Sequence, residues 1–299
     1  MPLLPDRRRV LAGLAALPSF AAMPLLASTG PQRPFNLRVV MSGHSLTDPI
    51  PDPLSVMVQA AGGAEARGMV IDASTIPGSP AEHRWQNDLN LAIDARRDMK
   101  NYDLLVLTER VSVRSTLLWH HSHDIALTWF KHAWKTGNGG RGAETVLYAS
   151  WISVDSGPGN EDPYDMPDER LIPFRERLDL EMGSWQDIAD HVNRNRPKDS
   201  PPMRVIPGPK VMAAVYDAIE AGTAPGLTAM RQLFEDNTHV TAKGAFLIAL
   251  AHFAVIYGRD PRTIPPLRGK PGWPTPDEAE WMKALVWDVV RAYPDSGLS

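Results

Sequence analysis

Length, composition and charge limit the classes of protein to which this chain can belong. Its 299 residues suffice for one large α/β domain or two small ones, with enough buried surface to fold without disulfide or metal support. The absence of cysteine excludes disulfides, zinc-thiolate sites, iron–sulfur clusters and cysteine nucleophiles. The net charge of -4, from 31 basic and 35 acidic residues, comes without a basic stripe, so we expect no nucleic-acid partner.

The first thirty residues predict an export signal rather than part of the fold. Arginines at positions 7–9 precede the apolar run LAGLAALPSFAAMPLLA, a pattern that resembles a twin-arginine signal with cleavage after Ala27. Prolines interrupt the run and it is short for a membrane span, although a retained N-terminal membrane anchor is the alternative. We therefore predict a signal over residues 1–30, one domain over 31–299, and a periplasmic or secreted protein without stable membrane association after cleavage.

Five short apolar runs predict strands, and helical periodicity marks most of the segments between them. The predicted strands cover residues 37–41, 68–71, 103–108, 145–151 and 203–206. The predicted helices cover residues 54–61, 87–97, 115–135, 178–193, 210–221, 241–257 and 276–293. Continuous apolar strands in alternation with helices favour a mostly parallel five-stranded sheet in a three-layer α/β/α sandwich.

Two stretches have no periodicity and are rich in proline, glycine and acidic residues. They cover residues 156–173 and 259–276. Loops of this length are typical of the rims of functional sites rather than of linkers between domains.

A serine follows the first predicted strand. The stretch 38–48 reads RVVMSGHSLTD and places Ser45 at the carboxyl edge of the sheet, where open parallel sheets bind their ligands. A serine soon after Gly43 is more often a turn or helix-capping residue, so this position alone leaves a nucleophile and a turn residue both open.

A second polar stretch, DNTHVTAKG, enters a long apolar helix near the other end of the chain. Asp236 and His239 are three residues apart there, a spacing at which the carboxylate can accept from one imidazole nitrogen. The other nitrogen can then accept a proton from a serine, which is a poor nucleophile without such a base. Taken alone, the stretch also fits a helix capped by Asp236 or Thr238, with His239 a surface residue.

Together the two stretches resemble the SGNH hydrolases, also called GDSL esterases and lipases, over roughly residues 37 to 257. The matches are Gly43-His44-Ser45-Leu46 for the G-D-S-L block and Asp236, His239, Thr241 and Gly244 for the D-x-x-H block. The resemblance implies a flavodoxin-like SGNH fold, with Ser45 as nucleophile, His239 as base and Asp236 as its orienting acid. It implies neither a metal nor a cofactor.

The sequence departs from the family pattern at two places. His44 stands where the family has an aspartate, and the loop over residues 107–112, LTERVS, lacks the asparagine that donates into the family's oxyanion hole. Glu109 is ionised at neutral pH and cannot donate there, so it is a candidate substrate contact; Arg110 can donate. A structural salt bridge at either residue is the alternative. Loss of one oxyanion donor typically raises the activation barrier by about 3 kcal/mol.

The segment after the second predicted strand supplies the remaining candidate residues. The resemblance implies that the backbone N–H of Gly78 joins that of Ser45 in the oxyanion hole, although a glycine between prolines is also ordinary turn chemistry. His83 and Arg84 are candidate polar contacts to substrate, and Trp85 is a candidate stacking platform for a sugar ring. The alternative for Trp85 is packing in the core.

A histidine cluster over residues 120–124, HHSHD, suggests a metal site. On one helix His120 and Asp124 would stand one turn apart and could reach the same ion. The apolar flanks favour an amphipathic helix instead, and we predict no metal.

The sequence predicts an exported serine esterase that removes a small acyl group without a cofactor, and acetyl on a carbohydrate is the preferred substrate. Its partner is then a small-molecule or glycan ester. A lipid or aryl esterase of the same fold is the nearest alternative. Because the oxyanion asparagine is missing, a weakly catalytic or non-catalytic glycan-binding relative is a second one.

Overall fold

The computed structural model describes residues 32–159 and 165–298 of the chain. The predicted export signal, and residues 160–164 of the first long loop, lie outside this description. Within the described part of the chain, no helix combines the length and the apolar character needed to cross a bilayer.

Five parallel strands form one sheet in the order β2-β1-β3-β4-β5. Their bounds are Arg38–Gly43 for β1, Val70–Thr75 for β2, Leu104–Leu107 for β3, Glu144–Ala149 for β4 and Arg204–Pro207 for β5. All five predicted strands are confirmed within a few residues. Because β1 pairs with β2 on one side and β3 on the other, strand order reverses between β1 and β3. Ligands of open parallel sheets bind at the carboxyl edge of such a switch point.

Nine α-helices among the described residues cover the sheet. Their bounds are Pro51–Gly62 (α1), Ala81–Gln86 (α2), Ala95–Asp98 (α3), Val113–Trp119 (α4), Ser122–Gly140 (α5), Phe174–Asn195 (α6), Gly208–Glu220 (α7), Ala242–Tyr257 (α8) and Pro276–Ala292 (α9). One apolar core lies between the sheet and α1, α7, α8 and α9, and a second lies between the sheet and α2, α3, α5 and α6. The predicted α/β/α sandwich is therefore confirmed.

Alternation along the strands divides the side chains between these two cores. Val39 and Met41 of β1 belong to the first core and Val40 to the second, as the two-residue period of a strand requires. Helix α8 is buried along nearly its whole length, because α1 and α9 pack on either side of it. The residues after 257 thus extend the first helical layer.

Two of the predicted helices are wrong in their extent. The helix expected over residues 115–135 is divided into α4 and α5, because His120 has extended backbone with φ -129° and ψ 147°. Most of the helix expected over 87–97 is absent, since Asn90 has a positive φ of 48°. Only α3 forms there, where the Asp94 side chain accepts the N–H groups of residues 96 and 97.

Candidate active site

Ser45 lies in a tight turn directly after β1, at the switch point of the sheet. The Thr47 N–H donates to the His44 carbonyl oxygen at 2.8 Å and closes the turn. Position 43 has to be glycine, because a β-carbon there would lie 2.1 Å from the Thr47 hydroxyl oxygen. Ser45 is half-buried, so the turn presents a partly exposed hydroxyl at the edge where ligands are expected.

The loop before α8 brings an imidazole to that hydroxyl. His239 Nε2 lies 2.8 Å from Ser45 Oγ, and His239 Nδ1 lies 2.7 Å from Asp236 Oδ2. Asp236 Oδ1 also accepts the N–H groups of His239 and Thr238 at 2.6 and 2.7 Å. Burial opposes ionisation of Asp236, but these N–H donors outweigh it and lower its pKa to about 2. An ionised Asp236 accepts from Nδ1–H, which leaves Nε2 to accept the Ser45 proton.

Three donors that the sequence did not reveal hold the backbone of this loop. The Arg231 guanidinium donates to the carbonyl oxygen of residue 236 at 3.0 Å. The Val154 N–H donates to that of residue 237 at 2.7 Å, and the Trp151 indole N–H to that of residue 238 at 2.9 Å. The available signal was general: a buried indole N–H needs an acceptor, and Trp151 is fully buried. The segment after β4 therefore positions His239.

His44 and Glu109, the two departures from the family pattern, contact each other. The buried His44 ring donates from Nε2 to the Glu109 carbonyl oxygen at 2.9 Å and accepts the Leu46 N–H at Nδ1 at 3.4 Å. Burial, with a smaller effect of the Arg84 cation, lowers the pKa of His44 to about 3. A neutral ring protonated at Nε2 satisfies both contacts, so His44 ties the serine turn to the loop after β3.

The Glu109 carboxylate is buried and serves the backbone around it. Its Oε1 accepts the N–H of Ala81 at 2.9 Å and that of Arg110 at 2.7 Å. The predicted substrate contact through Glu109 is therefore wrong, because its carboxylate lies inside the protein and bridges the loop after β3 to the start of α2.

The other candidates for the oxyanion hole lie on loops that follow β2 and β3. Gly78 is an exposed turn residue with a φ of 66°, a conformation that favours glycine. Arg110 is half-buried, with Nε 3.4 Å from the Thr116 hydroxyl oxygen of α4. Arg110 directly follows Glu109, whose carbonyl oxygen accepts from the His44 ring of the serine turn. Their donation to an oxyanion stays a prediction.

The three residues predicted to contact substrate on α2 have different environments. Arg84 is fully buried, so its predicted substrate contact is wrong. Trp85 packs edge-on against Trp129 of α5, with ring centroids 5.2 Å apart, and against His132 at 5.4 Å. Its environment therefore matches the alternative of core packing rather than a stacking platform for a sugar. His83 is exposed, and its contact to substrate stays a prediction.

The histidine cluster is divided between two sets of partners. His120 Nδ1 lies 2.8 Å from Glu82 Oε2, whereas Asp124 Oδ1 lies 3.2 Å from His191 Nε2. Because the helix breaks at His120, the one-turn spacing to Asp124 on a single helix is wrong. Across residues 32–159 and 165–298, no three potential metal ligands come together.

Comparisons with known proteins bear on the fold. No family model matches the sequence, and no curated protein matches it. Among solved structures, a DUF4886 family protein from Bacteroides uniformis superposes with a TM-score of 0.59, at 13% identity over 87% of this chain and 96% of that chain. For a proposed SGNH hydrolase from Slackia heliotrinireducens the TM-score is 0.47, at 19% identity over 73% and 97%. For an acetyl xylan esterase it is 0.45, at 13% identity over 74% and 100%.

The similarity to the Bacteroides protein covers most of both chains, so it extends over the sheet and both helical layers described above. The parallel five-stranded sheet with helices on both faces is the α/β/α fold that the sequence predicts.

Proposed function

We propose that this chain is a serine esterase that hydrolyses a small acyl ester through Ser45, His239 and Asp236. The observation that carries the proposal is the unbroken line of hydrogen bonds from Asp236 Oδ2 through the imidazole to Ser45 Oγ, at 2.7 and 2.8 Å. A serine hydroxyl needs a base in direct contact, and the base needs a fixed tautomer. Both conditions are met at the switch point of the sheet, where a ligand is expected.

In the first half of the reaction, Ser45 Oγ attacks the ester carbonyl carbon while His239 Nε2 takes the hydroxyl proton. The carbonyl π electrons move to the carbonyl oxygen, which becomes an oxyanion. The backbone N–H groups of Ser45 and Gly78 donate hydrogen bonds to this oxyanion, and the Arg110 guanidinium is a further donor. The carbon–oxygen bond to the alcohol then breaks, and His239 returns the proton to the alcohol oxygen.

In the second half, water attacks the acyl-Ser45 ester. His239 Nε2 takes a proton from that water and passes it to Ser45 Oγ as the carboxylic acid leaves. Asp236 holds the imidazole throughout and stabilises its protonated form.

A rate assay tests the proposal directly. Wild type should hydrolyse 4-nitrophenyl acetate with release of acetate, and Ser45→Ala should abolish the enzyme-catalysed rate because it removes the hydroxyl that lies 2.8 Å from His239 Nε2. Ser55→Ala, a half-buried serine of α1, is the matched control and should keep the wild-type rate. Equal rates for wild type and Ser45→Ala would refute the esterase.

For the substrate class we propose an acetylated carbohydrate, supported by one exposed aromatic residue. Trp119, the last residue of α4, is 75% exposed, and Leu118 beside it is 62% exposed. The Thr116 hydroxyl ties the same helix to Arg110. A tryptophan face at such a place can stack on a sugar ring, the role that the packed Trp85 does not have.

Two substrates separate this carbohydrate esterase from a general aryl or lipid esterase. Trp119→Ala should raise KM for acetylated xylan about tenfold, in line with the loss of one aromatic stacking contact, and leave KM for 4-nitrophenyl acetate unchanged. Leu180→Ala, which removes an exposed apolar side chain from α6, is the control. An unchanged KM for the glycan would favour the aryl or lipid ester.

We also propose export to the periplasm or beyond, on the twin-arginine pattern alone. Replacing Arg7 and Arg8 by lysine should leave the protein in the cytosol of a bacterial host, whereas the wild type should be processed after Ala27. Wild-type protein recovered from the cytosol with Met1 intact would refute export.

A further inference from the structure

Arg84 is a fully buried cation at the carboxyl ends of β1, β2 and β3. Its Nε donates to the Ser42 hydroxyl oxygen at 3.1 Å, and its Nη1 donates to the Ser79 hydroxyl oxygen at 3.0 Å and to the Ser79 carbonyl oxygen. Its Nη2 donates to the Thr108 carbonyl oxygen. One guanidinium therefore binds three segments that are far apart in the sequence.

These partners are neighbours of the proposed reacting groups. Ser42 lies in β1, three residues before Ser45. Ser79 directly follows Gly78, and Thr108 stands two residues before Arg110. The guanidinium thus fixes the relative positions of the three loops from which the proposed oxyanion donors come.

Glu109 and His44 complete a buried unit with Arg84. The Glu109 carboxylate accepts the N–H at the start of α2, the helix that carries Arg84, and the N–H of Arg110. The His44 ring donates to the Glu109 carbonyl oxygen from the serine turn itself. We define these residues, Arg84, Glu109 and His44, as the buried unit.

We propose that the buried unit is a positioning device that compensates for the missing oxyanion asparagine. It holds the backbone N–H groups of Ser45 and Gly78 where the negative charge of the tetrahedral intermediate develops. Donors that are already fixed in place need no reorganisation during the reaction. The inference rests on the esterase proposed above, and it assigns Arg84 a role through other groups rather than through contact with substrate.

A second buried arginine provides the matched control. Arg204 is the first residue of β5, so it lies at the amino ends of the strands, opposite Arg84. There it donates to the Val255 carbonyl oxygen and to the Glu144 carboxylate. Burial lowers the pKa of Arg84 and of Arg204 alike to about 10, so both remain cations at neutral pH. Replacing either by lysine keeps the charge and removes the planar fork.

The test compares Arg84→Lys with Arg204→Lys in kinetics on 4-nitrophenyl acetate, well below the melting temperature of each variant. Arg84→Lys should lower kcat about tenfold or more and leave KM within about twofold. The reason is that misplaced oxyanion donors reduce stabilisation of the transition state but not binding of the substrate. Arg204→Lys should lower the melting temperature but keep the wild-type kcat. The affinity for phenylboronic acid, which forms an anionic tetrahedral adduct on serine, should fall in parallel with kcat in Arg84→Lys only.

Ser79→Ala provides a milder variant if Arg84→Lys does not fold, because it removes one hydroxyl partner of Arg84 and should lower kcat about threefold. A wild-type kcat and boronate affinity in a folded Arg84→Lys or Ser79→Ala protein would overturn the positioning role and leave the esterase standing. An equal loss of kcat in Arg204→Lys would also overturn it. If wild type shows no Ser45-dependent hydrolysis, the esterase fails and this inference fails with it.

Discussion

The strands of the central sheet begin at one side, here called the amino edge, and end at the other, the carboxyl edge. The two edges carry buried arginines with different kinds of partner. At the amino edge, Arg204 and Arg33 share the Glu144 carboxylate at 3.0 and 2.6 Å, so charge is balanced by direct ion pairs. At the carboxyl edge, Arg84 binds backbone carbonyl and hydroxyl oxygens, while Glu109 binds backbone N–H groups. The amino edge therefore joins strands, whereas the carboxyl edge fixes loops. Changes at the first edge should alter stability, and changes at the second should alter catalysis.

The largest expected effect is at the carboxyl edge. His239→Ala removes the proposed base, and kcat should fall by about a millionfold, the scale of loss when the histidine of a Ser-His-Asp triad is removed. His191→Ala removes a histidine of α6 that pairs with Asp124 at 3.2 Å, and should leave kcat unchanged. Kinetics on 4-nitrophenyl acetate measure both. A His239→Ala enzyme with a tenth or more of the wild-type kcat would contradict the role of the base.

A core histidine that belongs to neither edge should control stability in acid. Burial in α8 lowers the pKa of His252 from 6.5 to about 4. Between those pH values the unfolded chain takes up a proton that the folded chain excludes, so the free energy of unfolding falls as the pH falls. The slope for one such group is about 1.4 kcal/mol per pH unit, or about 2 to 3 kcal/mol between pH 6.5 and 4.5.

Urea unfolding at pH 6.5 and 4.5 measures this effect, with His252→Leu as the variant. The variant should lose less stability than the wild type across this interval, by the 2 to 3 kcal/mol estimated above for about one excluded proton. His44 contributes to both proteins and cancels in the comparison. Identical pH dependence in the two proteins would mean that His252 does not exclude its proton.

Trp151 and Trp185 separate loop positioning from core packing at the carboxyl edge. Both side chains are fully buried, but the Trp151 indole donates to the Thr238 carbonyl oxygen beside His239, whereas the Trp185 indole donates to that of Ser150. Trp151→Phe should lower kcat about fivefold, since it removes one of the three hydrogen bonds that hold the loop of His239, about 1 kcal/mol. Trp185→Phe should destabilise the fold and spare kcat. Equal kcat values in the two variants would contradict this role of Trp151.

The smallest expected effect is at the amino edge. Asp103 accepts from the Arg38 guanidinium at 2.6 Å and from the Arg38 N–H at 2.9 Å. Burial opposes ionisation, but these bonds lower the pKa of Asp103, so the pair stabilises the fold above the unfolded-state pKa and loses this effect as the pH falls through the folded-state value. Asp103→Asn should cost about 1 kcal/mol at neutral pH, because solvent screens the partly exposed pair. A changed kcat would contradict the division between the two edges.

The difference between the edges also explains what the sequence could predict. Ser45 and the Asp236–His239 pair lie in short stretches whose local spacing already indicates their chemistry. The strands were found because each one is a continuous apolar run between helical segments. Such local patterns hold in the folded chain, where His239 Nε2 lies 2.8 Å from Ser45 Oγ.

Arg84 shows why the rest could not be predicted. The sequence around it, EHRWQ, is mostly polar and suggests an exposed loop. Its partners Ser42 in β1 and Thr108 after β3 nevertheless lie 42 and 24 residues away in the sequence. Nothing in the local spacing indicates burial of a cation by such distant backbone oxygens. The same limit applies to Trp151, whose acceptor lies 87 residues further along the chain.

Covalent labelling tests the central claim most directly. A fluorophosphonate probe reacts with a serine only where a base activates it and the surrounding N–H groups donate to the phosphoryl oxygen. Peptide mass spectrometry of labelled wild-type protein should find the phosphonyl group on Ser45, and His239→Ala should prevent the labelling. Modification of a different serine, or a wild-type protein that stays unlabelled, would contradict the account.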